Sequence, residues 1–484
     1  MDGLMFFANY LGISIYSLIG LSSLVAAGGL MSFWGKGEDS NKDKGFSSLQ
    51  DVKSFICKDG IQLSKNIFLS AKNLFEHVII FGPTGCGKSS TVFIPNLLQE
   101  ESFCEGKSSL IITDLKGEIY NLTASFQRRL GRQIKVFSPY NEANSIHYNP
   151  LDYCRDASEV ISLAKDILAS GAKSIELRNG VSDNKDATWI NMASPLFAAL
   201  LLYVWNQKVP HNTISNALRI LLEYSEYELD SLFYNHPNRD VRLQYRIYKK
   251  AGKSEGTVGS IQVTLAANVQ SFLTPAIERI TAYTDFRFED LRKERTAMYL
   301  IYPSEKSADL APITSIFFKQ LFSVCKEHNT SKDYPTFCLF DEFANCGAVP
   351  DFHSYASTLR AYRVGLVACL QDKTQLKSLY GGNAETIFNN LKTVVVFGGS
   401  KDYTTLKDIT TLCGTTKAVN LSITLTDKGD STTTRGNQTQ EVMTMSELKN
   451  LRDDEVLIML KNLKPIIDSQ NPFYENNEYM VNTI

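Results

Sequence analysis

Apolar positions along the 484-residue chain follow three different patterns. The first is an unbroken run: LMFFANYLGISIYSLIGLSSLVAAGGLMSFW carries no charge between Asp2 and Lys36 and exceeds the ~20 residues that a membrane-spanning helix requires. It predicts a transmembrane helix. A signal peptide would open on positive charge, which this segment lacks, and a buried helix of a soluble protein rarely runs so far without charge. The second pattern consists of short apolar runs bounded by polar residues: Val78 to Phe81, Ser109 to Asp114, Gln133 to Phe137, Ala297 to Tyr302, Thr336 to Glu342, Gly365 to Gln371, Thr393 to Gly398 and Glu455 to Leu460. Runs of this length and type predict strands buried on both faces, hence an α/β fold with a mainly parallel sheet.

The third pattern fills the gap of about 160 residues between Phe137 and Ala297, where a crossover needs little more than a dozen. SEVISLAKDILAS, WINMASPLFAALLLYVWNQ and HNTISNALRILLEYS repeat their apolar residues at spacings of three and four, which predicts an inserted helical domain. Within it Arg239, Arg242, Arg246, Lys249 and Lys253 recur at helical spacing after Pro237. Such a stripe is either a solvated helix face or a nucleic-acid contact. From Thr404 to Thr444 the chain turns rich in Thr, Ser, Gly and Asn, and a mobile loop or loose hairpin is expected.

Chemistry enters at FGPTGCGKSS, Phe81 to Ser90. Gly82, Gly87, Lys88 and Ser89 satisfy the spacing GxxxxGK[ST] between a predicted strand and a predicted helix. In this motif backbone N–H groups curl around phosphate oxygens, the lysine reaches the β and γ phosphates, and the hydroxyl binds Mg²⁺. The residues Gly82, Pro83, Thr84, Gly85, Cys86, Gly87, Lys88, Ser89 and Ser90 are therefore the candidate ATP-binding loop, and Pro95 is expected to bend or loosen the helix that follows. Hydrolysis needs more: a carboxylate that orients the metal and a group that positions water. TFCLFDE supplies both, with Asp341 predicted beside Ser89 at Mg²⁺ and Glu342 beside the attacking water. GLVACLQ ends in Gln371, placed to touch the γ phosphate from the neighbouring strand.

Composition adds two constraints. Fifty Lys plus Arg against 52 Asp plus Glu leave a formal charge of −2, so any nucleic-acid contact must come from local patches. Nine Cys without CxxC pairs, one of them Cys86 inside the phosphate loop, place the soluble body in a reducing compartment. Lys36, Lys42 and Lys44 follow the apolar segment while only Asp2 precedes it, which puts the bulk of the chain on the cytoplasmic side.

The order FGPTGCGKSS, SLIITDLKGEIY, HYNPLD, FCLFDEFANCG, LRAYRVGLVACLQDKTQLKSLYG resembles the coupling ATPases of type IV secretion and conjugation systems, over nearly the whole chain. DLKGE soon after the loop, combined with LRxYxVGLVxxLQDxxQL, is the specific part. The resemblance implies a hexameric ATPase of the bacterial inner membrane, with a RecA-like nucleotide-binding domain that uses ATP and Mg²⁺ and carries an inserted all-α domain. It implies Gly87, Lys88 and Ser89 as nucleotide contacts, the acid pair Asp341 and Glu342, and an arginine reaching a neighbouring subunit's site. Arg360 matches that arginine best, with Arg363 the competitor. The expected division is a membrane anchor (1–36), a polar linker (37–50), a nucleotide-binding domain in two parts (51–150 and 286–484) and the all-α insert (151–285). Implied partners are the inner-membrane components of the secretion channel and either a relaxase with single- or double-stranded DNA or protein effectors. Many family members have two spans and some carry an acidic C-terminal extension; a single uncharged segment and the short tail NPFYENNEYMVNTI are seen here. The rival reading is a membrane-anchored nucleotide-binding scaffold without turnover, against which the intact Glu342 argues.

Overall fold

The computed structural model describes residues 44–180, 184–207, 210–252, 254–425 and 431–483. The predicted membrane segment and Lys253 lie outside these residues. The strands are β1 (Ile56–Gln62), β2 (Phe68–Leu69), β3 (Val78–Phe81), β4 (Ser109–Asp114), β5 (Gln133–Phe137), β6 (Thr296–Ile301), β7 (Thr336–Phe340), β8 (Val364–Leu370), β9 (Thr393–Phe397), β10 (Thr415–Leu425), β11 (Ser431–Glu441), β12 (Glu455–Leu460) and β13 (Ile466–Ser469). Nine of them form one sheet in the order β13-β12-β9-β3-β8-β7-β4-β6-β5. From β9 to β5 in that order all neighbours run parallel, whereas β12 runs antiparallel to β9 and β13 antiparallel to β12.

Alternate residues of each central strand face opposite sides of the sheet, and both sides are covered. Ile79, Phe81 and Ile111 join a core that continues into the helices between β5 and β6. Val78, Ile80, Leu110 and Ile112 join a second core, with Val92, Phe93 and Leu97 after the phosphate loop and Ile119 of the helix Glu118–Arg129. Two apolar faces per strand leave no position for the polar alternation of a half-exposed sheet. The acids and amides at the strand ends are the first residues past this cover.

Between β5 and β6 the helices Ala157–Asn179, Asn184–Trp205, Ile214–Glu223, Glu226–Phe233, Arg239–Ala251 and Glu255–Val269 pack together. Ala187–Trp205 is apolar enough to cross a membrane, with mean hydropathy 1.5. Its residues Leu196 to Leu202 are nevertheless completely buried among the neighbouring helices, and the stretch is the core of the helical group. Hydrogen bonds between the Ser170 and Ser315 hydroxyls (2.6 Å) and from Ser174 to the Ala308 carbonyl (2.6 Å) tie this group to the helix Ser307–Glu327, which runs from β6 toward β7.

Three sequence expectations are revised or sharpened. The basic stripe is largely engaged inside the helical group: Lys249 pairs with Glu226 (2.6 Å) and Asp230 (2.9 Å), Arg242 donates to the His236 and Pro237 carbonyls, and Arg246 lies over Tyr234. The described parts of 404–444 form regular elements. Tyr403–Cys413 is a helix capped by Asp402, and β10 pairs with β11 from Thr415↔Glu441 to Leu425↔Ser431, a long hairpin standing apart from the main sheet. Regular spacing of Leu406, Ile409 and Cys413 supplies the buried side of that helix, a period hidden by the surrounding threonines. Pro95 does loosen its helix. Having no N–H, it leaves the Thr91 carbonyl without the usual partner; Ser89–Phe93 winds as a π-helix, and the α-helical part, Ile94–Leu97, stops at Leu98.

Candidate functional site

The phosphate loop leaves β3 at the carboxyl edge of the sheet, between β8 and β9. Gly85 and Gly87 have φ of +82° and +95°, a backbone that L side chains rarely adopt, so the loop can turn its N–H groups inward only with glycine there. Lys88 folds back on the loop, donating to the Gly82 carbonyl (2.6 Å) and the Pro83 carbonyl (2.9 Å). Cys86 stands beside it at 3.9 Å, and burial pushes its thiol up, away from reactivity. Thr84, Gly85, Gly87, Lys88, Ser89 and Ser90 form one wall of a cleft of about 290 Å³ whose other walls include Asp114, Asp341, Glu342 and Gln371. The structure thus brings Lys88, Ser89, Asp341, Glu342 and Gln371 together.

Within the cleft two pairs do the arranging. The Ser89 hydroxyl donates to Asp341 Oδ1, and the Asp341 N–H donates to Thr113 Oγ1 (3.1 Å). Gln371 Nε2 donates to Glu342 Oε1 (2.7 Å), while the Gln371 N–H is held by Gln375 Oε1 (2.9 Å). Burial pushes the Asp341 carboxyl up to about 6; the charges of Asp114 and Glu342 add to the rise, and the Ser89 hydroxyl and Lys88 ammonium oppose it. Ser89 and Asp341 offer adjacent hard oxygens, the donor type that suits Mg²⁺, with the remaining positions left to water and phosphate.

Asp114 is a residue of this cleft to which no role was assigned from sequence. It ends β4 next to the end of β7, is 2% exposed, and accepts from the Tyr120 N–H (2.8 Å) and Lys116 N–H (3.3 Å). Its carboxyl is raised by burial against these backbone donors. The signal was present: SLIITD is an apolar strand ending in an acid, as TFCLFDE is.

Arg360 does not join this cleft. It lies in the turn Leu359–Tyr362 before β8, at the amino edge of the sheet, and its guanidinium pairs with Glu76 just before β3. β8 alone separates that turn from Gln371 by roughly 23 Å at 3.3 Å per residue. Arg363, the competitor, is spent on the loop before β7: it donates to Asn329 Oδ1 (3.3 Å) and to the Thr330 carbonyl. Fully buried Arg292 fixes the same turn through the Tyr362 carbonyl (2.6 Å). Of the two arginines, Arg360 keeps an exposed side chain (57%).

Solved structures share this architecture. The bacterial conjugative coupling protein TrwB in its unbound form superposes with a TM-score of 0.69 over 88% of this chain and 92% of that one, at 14% identity. TrwB in complex with ADP and Mg²⁺ gives 0.66 over 88% and 92%, at 15% identity. Among curated proteins, VirD4 of Rhizobium radiobacter is 25% identical over 405 residues, covering 81% of this chain and 56% of that protein. The conjugal transfer protein TraG of Escherichia coli is 23% identical over 362 residues, 69% of this chain and 53% of its own length. The chain therefore spans little more than half the length of the curated relatives it matches. The family model described as type IV secretory system conjugative DNA transfer matches residues 39–484, and the chain belongs to that family.

Proposed function

We propose that this chain is the ATP-hydrolysing coupling subunit of a type IV secretion or conjugation system, passing a relaxase–DNA complex or protein effectors into the channel. The observation that carries the proposal is the cleft in which Ser89 meets Asp341 and Gln371 meets Glu342 beside Lys88. ATP would lie along residues 82–90, with Lys88 leaving its loop carbonyls for the β and γ phosphates. Ser89 and Asp341 would hold Mg²⁺, which neutralises phosphate charge. Glu342 takes the proton of the attacking water, and Gln371 holds that carboxylate in place. TrwB's complexes with an ATP analogue and with ADP and Mg²⁺ support the nucleotide and metal assignments.

In this reading residues 51–150 and 286–484 form a RecA-like motor domain and residues 151–285 an all-α domain inserted in it. Residues 1–36 anchor the protein in the bacterial inner membrane, with the polar linker 37–50 leading to a cytoplasmic body. Six copies form the ring. Arg360 then has no route to its own nucleotide and serves a neighbouring copy's. DNA in such a ring would be held by phosphate contacts, independent of sequence and sensitive to salt.

The test is ATP turnover by the purified full-length protein as a function of protein concentration, with and without single- and double-stranded DNA, against Lys88→Ala as blank. Turnover that rises with concentration and with DNA is the expected result. Turnover indifferent to DNA would point to protein cargo, and none above the blank would favour the scaffold reading.

Asp341 makes the metal dependence a function of pH. Only the ionised carboxylate binds Mg²⁺, and its folded pKa of about 6 exceeds the ordinary value of 3.8. For an acid raised in this way the neutral form dominates up to pH 6 instead of up to the ordinary 3.8. Its contribution to stability is present below pH 4 and is lost as pH rises through 6. Apparent Mg²⁺ affinity should therefore fall about tenfold per pH unit below 6, where binding releases one proton, and level off above it, where binding releases none. Calorimetric Mg²⁺ titrations of the nucleotide-loaded protein from pH 5 to 8 check this, and a flat profile would place the metal elsewhere.

A further inference from the structure

The side chain of Glu76 is 5% exposed, yet it lies outside the nucleotide cleft. A carboxylate removed from water is costly unless charges compensate it. Here two do: Arg360 and Lys461 both ion-pair with Glu76, one through each oxygen. The backbone around it is already fixed. Lys392 N–H donates to the Glu76 carbonyl (3.0 Å) and Lys461 N–H to the Lys392 carbonyl (3.2 Å), so the turns at the starts of β3 and β9 and the end of β12 are joined without any side chain. The carboxylate adds to this rim a single new link, to the turn before β8. That turn is anchored from the other side by Arg292 and Arg363, and Arg360 is its long, exposed side chain. Lys461 is less exposed, at 30%, and lies over Phe55.

We propose that Glu76 is the positioning residue of Arg360: its carboxylate holds the guanidinium at the rim of the sheet, ready for the phosphate of an adjoining copy. Lys461 remains as the counter-charge of Glu76 when Arg360 engages that phosphate. The inference rests on the reading of Arg360 as the arginine supplied between subunits. An arginine on an exposed turn without this partner would sample many rotamers, and misplacement by about 1 Å can cost 10²-fold in rate. Because Glu76 touches nothing in its own nucleotide cleft, its loss should be felt in turnover and not in nucleotide binding.

The experiment is a double-mutant cycle on the full-length protein with Glu76→Gln, Arg360→Ala and both together, measuring kcat, KM, nucleotide affinity and Tm. Glu76→Gln should lower kcat by about 10- to 100-fold, with KM, nucleotide affinity and Tm unchanged. Added to Arg360→Ala, it should cost nothing more. Full kcat in Glu76→Gln beside a lost kcat in Arg360→Ala would overturn the positioning role alone, as would losses that multiply or a parallel fall in nucleotide affinity. Full turnover in Arg360→Ala would overturn the intersubunit reading, and the role of Glu76 with it. Should Glu76→Gln fail to fold, Glu76→Gln/Lys461→Met removes one charge of each sign and is read in the same way.

Discussion

Glu342→Gln is expected to leave the protein able to bind ATP but nearly unable to hydrolyse it, with kcat falling by about 10²- to 10⁴-fold, the usual contribution of a positioned general base. Glu342 follows directly on Asp341, the acid proposed to hold the metal, and accepts from Gln371 Nε2 at 2.7 Å. An amide of the same shape can still accept that bond, so the cleft should keep its form; what it loses is the capacity to take a proton from water. The contrast with Lys88→Ala separates the roles. Lys88 is the cation of the phosphate loop and its removal should weaken binding itself, whereas Glu342→Gln should bind as tightly as the unsubstituted chain. Single-turnover hydrolysis and equilibrium binding of a fluorescent ATP analogue measure the two quantities independently. A loss smaller than tenfold in kcat would move the base to another residue, and a matching loss of affinity would make Glu342 a nucleotide ligand instead.

The residues that sit on strands, or immediately after them, were the ones legible in sequence. An apolar run buried on both faces has a sharp end, and the first polar residue beyond it must stand at the edge of the sheet; that argument found Asp341, Glu342 and Gln371, which the fold gathers around the phosphate loop. It would have found Asp114 by the same logic. Strand order was beyond it, because β4 comes between β7 and β6 through crossovers whose destinations leave no local trace. The antiparallel edge was half visible: EVLIML reads as a strand, while its partner β13, in the segment KPIIDS, has only two apolar residues after a proline and leaves no run to read.

Charged residues were harder, since a charge says nothing about its partner. Lys249 and Arg242 read as part of an exposed stripe and are engaged with Glu226, Asp230 and the His236 and Pro237 carbonyls. Glu76, in the stretch LFEHVII, reads as a polar residue before a strand and is a buried ion-pair partner for side chains from two distant parts of the chain. Pairings across hundreds of residues depend on the finished topology, so local pattern cannot supply them.

Arg360→Ala should lower turnover about 10³- to 10⁵-fold, the worth of an arginine that stabilises charge on a transferring phosphoryl group. Its position dictates how the loss must be distributed. Arg360 and the phosphate loop of one chain occupy opposite edges of the same sheet, so the substitution should leave nucleotide affinity untouched. Folding should survive as well, because Glu76 keeps Lys461 as a partner. Mixing then becomes decisive. Arg360→Ala subunits retain an intact Lys88, and Lys88→Ala subunits retain an intact Arg360; neither should turn over alone. In a co-assembled ring some interfaces join the good loop of one to the good arginine of the other, and part of the turnover should return. An arginine acting within its own subunit could never be rescued in this way, and an arginine of purely structural importance would be lost equally at every interface. Recovery in mixed rings, with nucleotide affinity unchanged in the single variant, is the outcome the intersubunit reading of Arg360 requires; turnover by Arg360→Ala alone, or no recovery on mixing with Lys88→Ala, removes it from the reaction.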